Sequence, residues 1–173
     1  MATSMQRVLD WYCSLIKVLA VACLAGMVIL VFGNVVLRYG FNSGIVVSEE
    51  VSRWLLVWLT FLGAIVALRE HRHLGIDTLV RKLSPRAKRV VFVINYALML
   101  YANWLLLLGS WRQMLITASD RSPAASLPVG LFYASGVVFG VSAAVILLYD
   151  VTRVLLGHVR EDELVAVRES EEA

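Results

Sequence analysis

Two adjacent carboxylates, Glu49 and Glu50, stand beside an apolar stretch, with Arg53 just behind them and Arg38 shortly before. Ionisable groups of this kind are what a proton- or ion-coupled carrier needs, but it needs them near the membrane midplane. On a helix, Glu49 and Arg53 are four residues apart and Glu50 and Arg53 three, so either pair can close on the surface. Arg38 can then neutralise the second carboxylate. His73 and Asp77 are also four apart, a spacing that suits a helix-end hydrogen bond better than a metal. Cys13 and Cys23 lack metal-ligand spacing and read as small membrane-embedded residues, not as a disulfide. No phosphate loop, zinc spacing or nucleophile arrangement is present. The sequence predicts no catalytic residue, no cofactor and no metal site, and argues against an enzyme.

The elements that must position these residues are long apolar runs. Of 173 residues 60% are hydrophobic and 17% charged, with mean hydropathy +0.76. Such a composition cannot build the polar surface of a soluble domain. The first run, Val18 to Leu37, holds twenty residues without a charge, about 30 Å of helix and one hydrocarbon core. Arg38 and Tyr39 follow it in place of a small-residue cleavage site, so it reads as a retained helix and not a signal peptide.

The second run, Trp54 to Leu68, has only fifteen residues and spans only if the helix reaches back to Ser48. Ser48 then serves as N-cap, with Glu49 and Glu50 in the first turn, where the helix dipole favours negative charge. That start places Glu49, Glu50 and Arg53 at headgroup depth, partly out of water. Trp54, Trp58 and Phe61 continue the Glu50 face, Trp54 as an interface aromatic and Trp58 as a packing residue deeper in the membrane.

Within the basic stretch 69–89, Leu74 to Leu83 alternates apolar and charged positions like a short interfacial helix. Ser84 and Pro85 then open the third helix, whose apolar run is Val90 to Trp111. Ala118 to Pro128 is a loop by its breakers, and Val129 to Tyr149 is the last run. The tail 160–173 is charged and solvated. The expected fold is all-α, one integral membrane domain over 1–173, a four-helix bundle with spans near 18–37, 48–68, 88–111 and 129–149.

Twelve cations (Arg7, Lys17, the basic loop, Arg153, Arg160 and Arg168) fall on one side, against Arg38, Arg53, Arg112 and Arg121 on the other. This bias predicts both termini in the cytoplasm and the Leu74–Leu83 helix on the cytoplasmic surface. Gly136, Gly140 and Ala144 form a small-residue stripe, Ala22 and Gly26 a weaker one, and Asn95 and Asn103 share a face. All are read as packing devices. None of the four runs contains Asp, Glu, Lys, Arg or His. A small multidrug antiporter would show a membrane-embedded carboxylate, and a cytochrome b would show His within the spans. A transporter that works alone is disfavoured.

The stretch NVVLRYGFNSGIVVSEEVSRWLLVWLTFLGAIVALREHRHLGID, from Asn34 to Asp77, resembles the small permease subunit of tripartite ATP-independent periplasmic (TRAP) transporters. The resemblance rests on Arg38, Phe41 and Asn42 after the first helix and on Ser48, Glu49 and Glu50 at the start of the second. Trp58, Phe61, Leu62, Gly63 and Ala64 follow within it, then His73 and Asp77. It implies a subunit that scaffolds a large permease, which would carry the substrate and sodium sites. A periplasmic binding protein would deliver an organic acid, and the location would be the bacterial inner membrane. Arg38, Asn42, Glu49, Glu50, Arg53, Trp54, Trp58, Phe61, Gly63, His73 and Asp77 become candidates for partner contact or structural roles. Asp120 and Arg121 are candidates for docking the binding protein. No nucleic-acid partner is expected. The competing reading is a membrane anchor of an unrelated complex, for example a respiratory one.

The cation bias is tested by cysteine labelling in sealed cells, with Cys13 and Cys23 replaced by Ser. Reagent from outside should reach cysteines near Ser122 and not those near Ser84; labelling at Ser84 would reverse the topology.

Overall fold

The computed structural model describes residues 4–70 and 85–155. The expected interfacial helix, His73, Asp77 and the charged tail lie outside these residues. Four helices are described: α1 (Ser4–Gly40), α2 (Val46–Glu70), α3 (Pro85–Ile116) and α4 (Gly130–Leu155). Each is long and apolar enough to cross a membrane. With 37 residues, α1 measures about 55 Å, well beyond a hydrocarbon core of about 30 Å. The excess lies mostly before Val18 and carries Asp10 and Lys17 within the helix.

Local chemistry sets the helix ends. Asn42 adopts φ 51°, the left-handed region that Asn tolerates better than most residues. That turn lets the Ser43 N–H reach back to the Leu37 carbonyl at 3.0 Å and stops α1. The chain re-enters a helix at Val46, two residues before the expected cap. Ser48 therefore sits inside α2, not at its boundary. The Asn34 side chain, one helix away, accepts the Ile45 N–H at 2.7 Å and takes over the capping task. Pro85 opens α3, where its missing N–H costs nothing.

The principal packings run α1 on α2, α2 on α4, and α4 on α3. The outer helices α1 and α3 expose Ile29, Phe32, Leu98 and Trp104, among others, an outward face suited to lipid or protein and not to water. Leu9, Ile16, Leu62, Ile65 and Ile146 form a buried core where α1, α2 and α4 meet. Beside it the Tyr12 and Ser142 hydroxyls lie 2.6 Å apart.

The α3–α4 contact depends on two glycines of the small-residue stripe. A Cβ on Gly140 would stand 2.9 Å from the Leu107 side chain and 3.3 Å from its Cα, and one on Gly136 would crowd Ser110. Bare backbone at this seam also lets buried Asn103 donate to the Gly140 carbonyl at 2.9 Å. Asn95 is exposed, so among the described residues Asn103 is the asparagine of the two that reaches a neighbouring helix. Gly63 has nothing within 4 Å of a Cβ position and serves as the control. Gly140→Ala should be less stable than Gly63→Ala by about 1–3 kcal/mol, the usual penalty of overpacking, read from thermal unfolding in detergent. Equal midpoints would show that the seam can relax.

Candidate functional site

Polar side chains gather where α1 ends, α2 begins and the α3–α4 loop passes over them. Asn34, buried in α1, uses both halves of its amide. Its oxygen takes the Ile45 N–H, and its nitrogen donates to a Glu49 carboxylate oxygen at 3.3 Å. That same oxygen lies 3.5 Å from an Arg38 guanidinium nitrogen. Both charged side chains of this pair are more than half exposed, so it contributes at most about 1 kcal/mol. Ser48, one turn into α2, donates to the Leu30 carbonyl of α1 at 2.7 Å, and Ser52 donates to the Ser48 carbonyl at 2.6 Å. Both serines are buried. Ser48 joins the two helices, Ser52 bonds within α2, and neither hydroxyl is left unpaired in the apolar interior.

Glu50 points the other way. Only 8% exposed, it accepts the backbone N–H groups of Ala124 at 3.0 Å and Ala125 at 2.8 Å. The Ser122 hydroxyl also hydrogen-bonds to it. The loop is shaped to present those donors. Ser122 N–H bonds to the Leu127 carbonyl at 2.9 Å, and Val129 N–H to the Asp120 carbonyl at 2.9 Å. Ser126, left-handed like Asn42, makes the tight reversal at φ 53°. Loop amides outside a helix have no ladder partners, and a carboxylate is the strongest acceptor a protein can offer them.

The pairing expected from spacing does not form. Among the described residues neither Glu49 nor Glu50 closes an ion pair with Arg53; Glu49 pairs with Arg38, and Glu50 takes the loop. Arg53 stays exposed, on a shallow cavity it lines with Glu49, Ser52, Met27, Val31 and Leu56. Helix-surface spacing permits a contact, but half-buried loop amides compete for the Glu50 carboxylate with better geometry.

The aromatic face of α2 turns to α4. Trp54 meets Phe132 edge-on at 6.2 Å between ring centres, and Phe61 tilts against Phe139 at 5.7 Å. The Trp58 indole N–H donates to the Leu131 carbonyl at 3.2 Å, in the exposed first turn of α4. In the loop, Asp120 and Arg121 are both exposed. The Arg121 guanidinium donates to the Ser126 carbonyl at 3.1 Å, which orders one of the two.

A second polar cluster, at the far end of the bundle, has no counterpart among the sequence candidates. Arg69, with its side chain 7% exposed, donates to Asp10 at 2.8 Å, and Lys17 pairs with Glu70. Asp10 precedes the first apolar run, and no local spacing reveals a partner 59 residues away. Among the described residues no three His, Cys, Asp or Glu side chains converge as metal ligands would. At both ends Glu50, the Glu49–Arg38 pair, the Arg69–Asp10 pair and the Lys17–Glu70 pair join segments of this chain, which is positioning.

Residues 27–157 match the family described as tripartite ATP-independent periplasmic transporters, DctQ component. The chain belongs to the DctQ family of TRAP small permease subunits. It is 43% identical over 133 residues to a Haemophilus influenzae protein named as a TRAP transporter small permease protein, covering 77% of this chain and 83% of that one. A second H. influenzae protein of the same name is 29% identical over 138 residues, 80% of this chain and 84% of the relative. The C4-dicarboxylate TRAP transporter small permease protein DctQ of Vibrio cholerae is 32% identical over 88 residues, 51% of this chain and 38% of its own.

Family membership makes the chain a transporter component and not an enzyme, a multi-pass protein of the bacterial inner membrane, and it sets aside the respiratory anchor. The Asn34–Glu49–Arg38 and Glu50–loop contacts lie inside the matched region; Asp10 and Lys17 lie before it.

Replacing Glu50 separates charge from hydrogen bonding. Glu50→Ala leaves two loop amides without an acceptor, so hydrogen exchange at Ala124 and Ala125 should rise roughly ten- to a hundredfold. Glu50→Gln keeps an acceptor oxygen and should change exchange far less. Equal rates in wild type and Glu50→Ala would show that the carboxylate does not hold the loop.

Proposed function

We propose that this chain is a static membrane scaffold for a large permease, in a system that takes up an organic acid delivered by a periplasmic binding protein and driven by sodium. The observation that carries the reading is how the charges are used. The carboxylates at the start of α2 are engaged by Asn34, Arg38 and the loop amides, and the four apolar runs contain no Asp, Glu, Lys, Arg or His. A path for sodium or an organic anion needs ionisable or unwound elements at the midplane. That machinery then belongs to the partner.

In this reading both termini face the cytoplasm, as the cation bias predicts, and the Glu50-held loop faces the periplasm. Exposed Asp120 and Arg121 on that loop are the contacts offered to the binding protein. Arg38 and Glu50 act indirectly, by fixing the surface that the partners meet. The apolar faces of α1 and α3, open in this chain alone, supply area for the large permease. The relative from V. cholerae is named for C4-dicarboxylates, which supports an organic acid as the transported class.

Reconstitution tests the division of labour. The chain alone in liposomes should give no sodium-driven uptake of any dicarboxylate, and adding its large permease and binding protein should restore it. Uptake by the isolated chain would end the scaffold reading. In the full system, Arg38→Ala and Glu50→Ala should each lower recovery of the large permease or the uptake rate, with Glu50→Gln milder. Glu163→Ala and Glu171→Ala, in the charged tail, should match wild type in both. Wild-type behaviour of the Arg38 and Glu50 variants would make those side chains ordinary surface charges.

A further inference from the structure

A cavity of about 340 Å³ opens between the first turns of α1 and the last turn of α2, lined by Asp10, Cys13, Ser14, Lys17, Arg69 and Glu70. Its volume falls in the range of small-ligand sites. Three observations bear on what it takes.

The first is depth. Lys17 immediately precedes the apolar run that begins at Val18, and Arg69 and Glu70 immediately follow the one that ends at Leu68. The cavity therefore lies at the level of lipid headgroups. Trp11, 69% exposed, stands on the same stretch of α1, as interface aromatics do.

The second is an unmade hydrogen bond. The Arg69 side chain is more than nine-tenths buried, and one of its nitrogens, Nη2, is bound by Asp10. Its Nη1 is buried and has no hydrogen-bond partner among the described residues. A guanidinium cannot shed its charge by deprotonating, so an orphaned N–H there is costly and calls for an acceptor. The third is the charge set, two cations and two carboxylates in one lining. That set suits a ligand carrying both signs, not a simple anion. Lys17 has three N–H donors and can keep Glu70 while donating to a further oxygen.

We propose that this cavity seats the headgroup of a zwitterionic aminophospholipid, its phosphate on Lys17 and Arg69 and its primary ammonium on Asp10 and Glu70. The acyl chains run along the exposed apolar face of α1 at Leu15, Val18 and Leu19, which are 44%, 63% and 46% exposed. A primary ammonium can donate hydrogen bonds to two carboxylates; a trimethylated one cannot. The site therefore selects phosphatidylethanolamine over phosphatidylcholine, and over phosphatidylglycerol, which brings no cation.

The test is native mass spectrometry of the delipidated full-length chain with each of these three lipids added back. Phosphatidylethanolamine should be retained at one per chain, about tenfold more than either of the others. Lys17→Gln, at a half-exposed position, should lose that retention while melting like wild type. Glu70→Gln, at a half-exposed position that leaves the Arg69–Asp10 pair in place, should erase the preference for ethanolamine over choline. Arg69→Gln breaks a buried ion pair and can fail to fold, so it is not used. Equal retention of the three lipids, or undiminished binding by folded Lys17→Gln, overturns the proposal. So does displacement of the lipid by millimolar inorganic phosphate, which would reveal a free-phosphate site.

Discussion

The Glu50 carboxylate, accepting the amides of Ala124 and Ala125, is the contact on which the arrangement of this end of the chain depends. A membrane chain must pair every backbone polar group that water does not reach. Helices do so internally; the thirteen residues between α3 and α4 do so only in part. Glu50 supplies the acceptor from another helix, and in doing so fixes where α4 begins relative to α2. The aromatic seam follows from that placement, since Trp54, Trp58 and Phe61 meet α4 at Phe132, Leu131 and Phe139. Asn34 does for the α1–α2 connection what Glu50 does for the loop.

Both ends of the bundle are thus tied by polar contacts, and the middle is held by fit. At the far end Arg69–Asp10 and Lys17–Glu70 join α2 to α1. Between the ends, Gly136 and Gly140 let α3 settle on α4, which is how helices associate where no hydrophobic driving force separates them from lipid. A subunit built this way resists relative motion of its helices. That is a property a scaffold needs.

The helices and their membrane character were legible because uninterrupted apolar runs have few other physical explanations. The short second run forced its extension toward Ser48, and α2 indeed reaches past it, to Val46. The capping task went to Asn34 instead of Ser48, because a side chain from a neighbouring helix leaves no local signature. The same reason hid the Glu50–loop contact, across 74 residues, and the Arg69–Asp10 pair, across 59. Spacing within α2 pointed Glu49 and Glu50 at Arg53, since i, i+3 and i, i+4 neighbours are all a sequence displays. Tertiary donors decided otherwise. Asn42 stands out in the sequence by family pattern alone; its left-handed backbone supplies a physical reason for an asparagine there.

Rigidity in the working transporter is the central claim. Its most direct measurement is a spin-label distance between exposed Ser43, in the α1–α2 connection, and exposed Ser126, in the Glu50-held loop. Labels are placed in the complete complex with large permease and binding protein, with Cys13 and Cys23 replaced by Ser. The distribution should stay within about 2 Å on adding sodium and substrate, the tolerance of a pre-organised body, while labels on the large permease move. A shift well beyond about 2 Å between Ser43 and Ser126 would contradict the scaffold and make this chain part of the moving machinery.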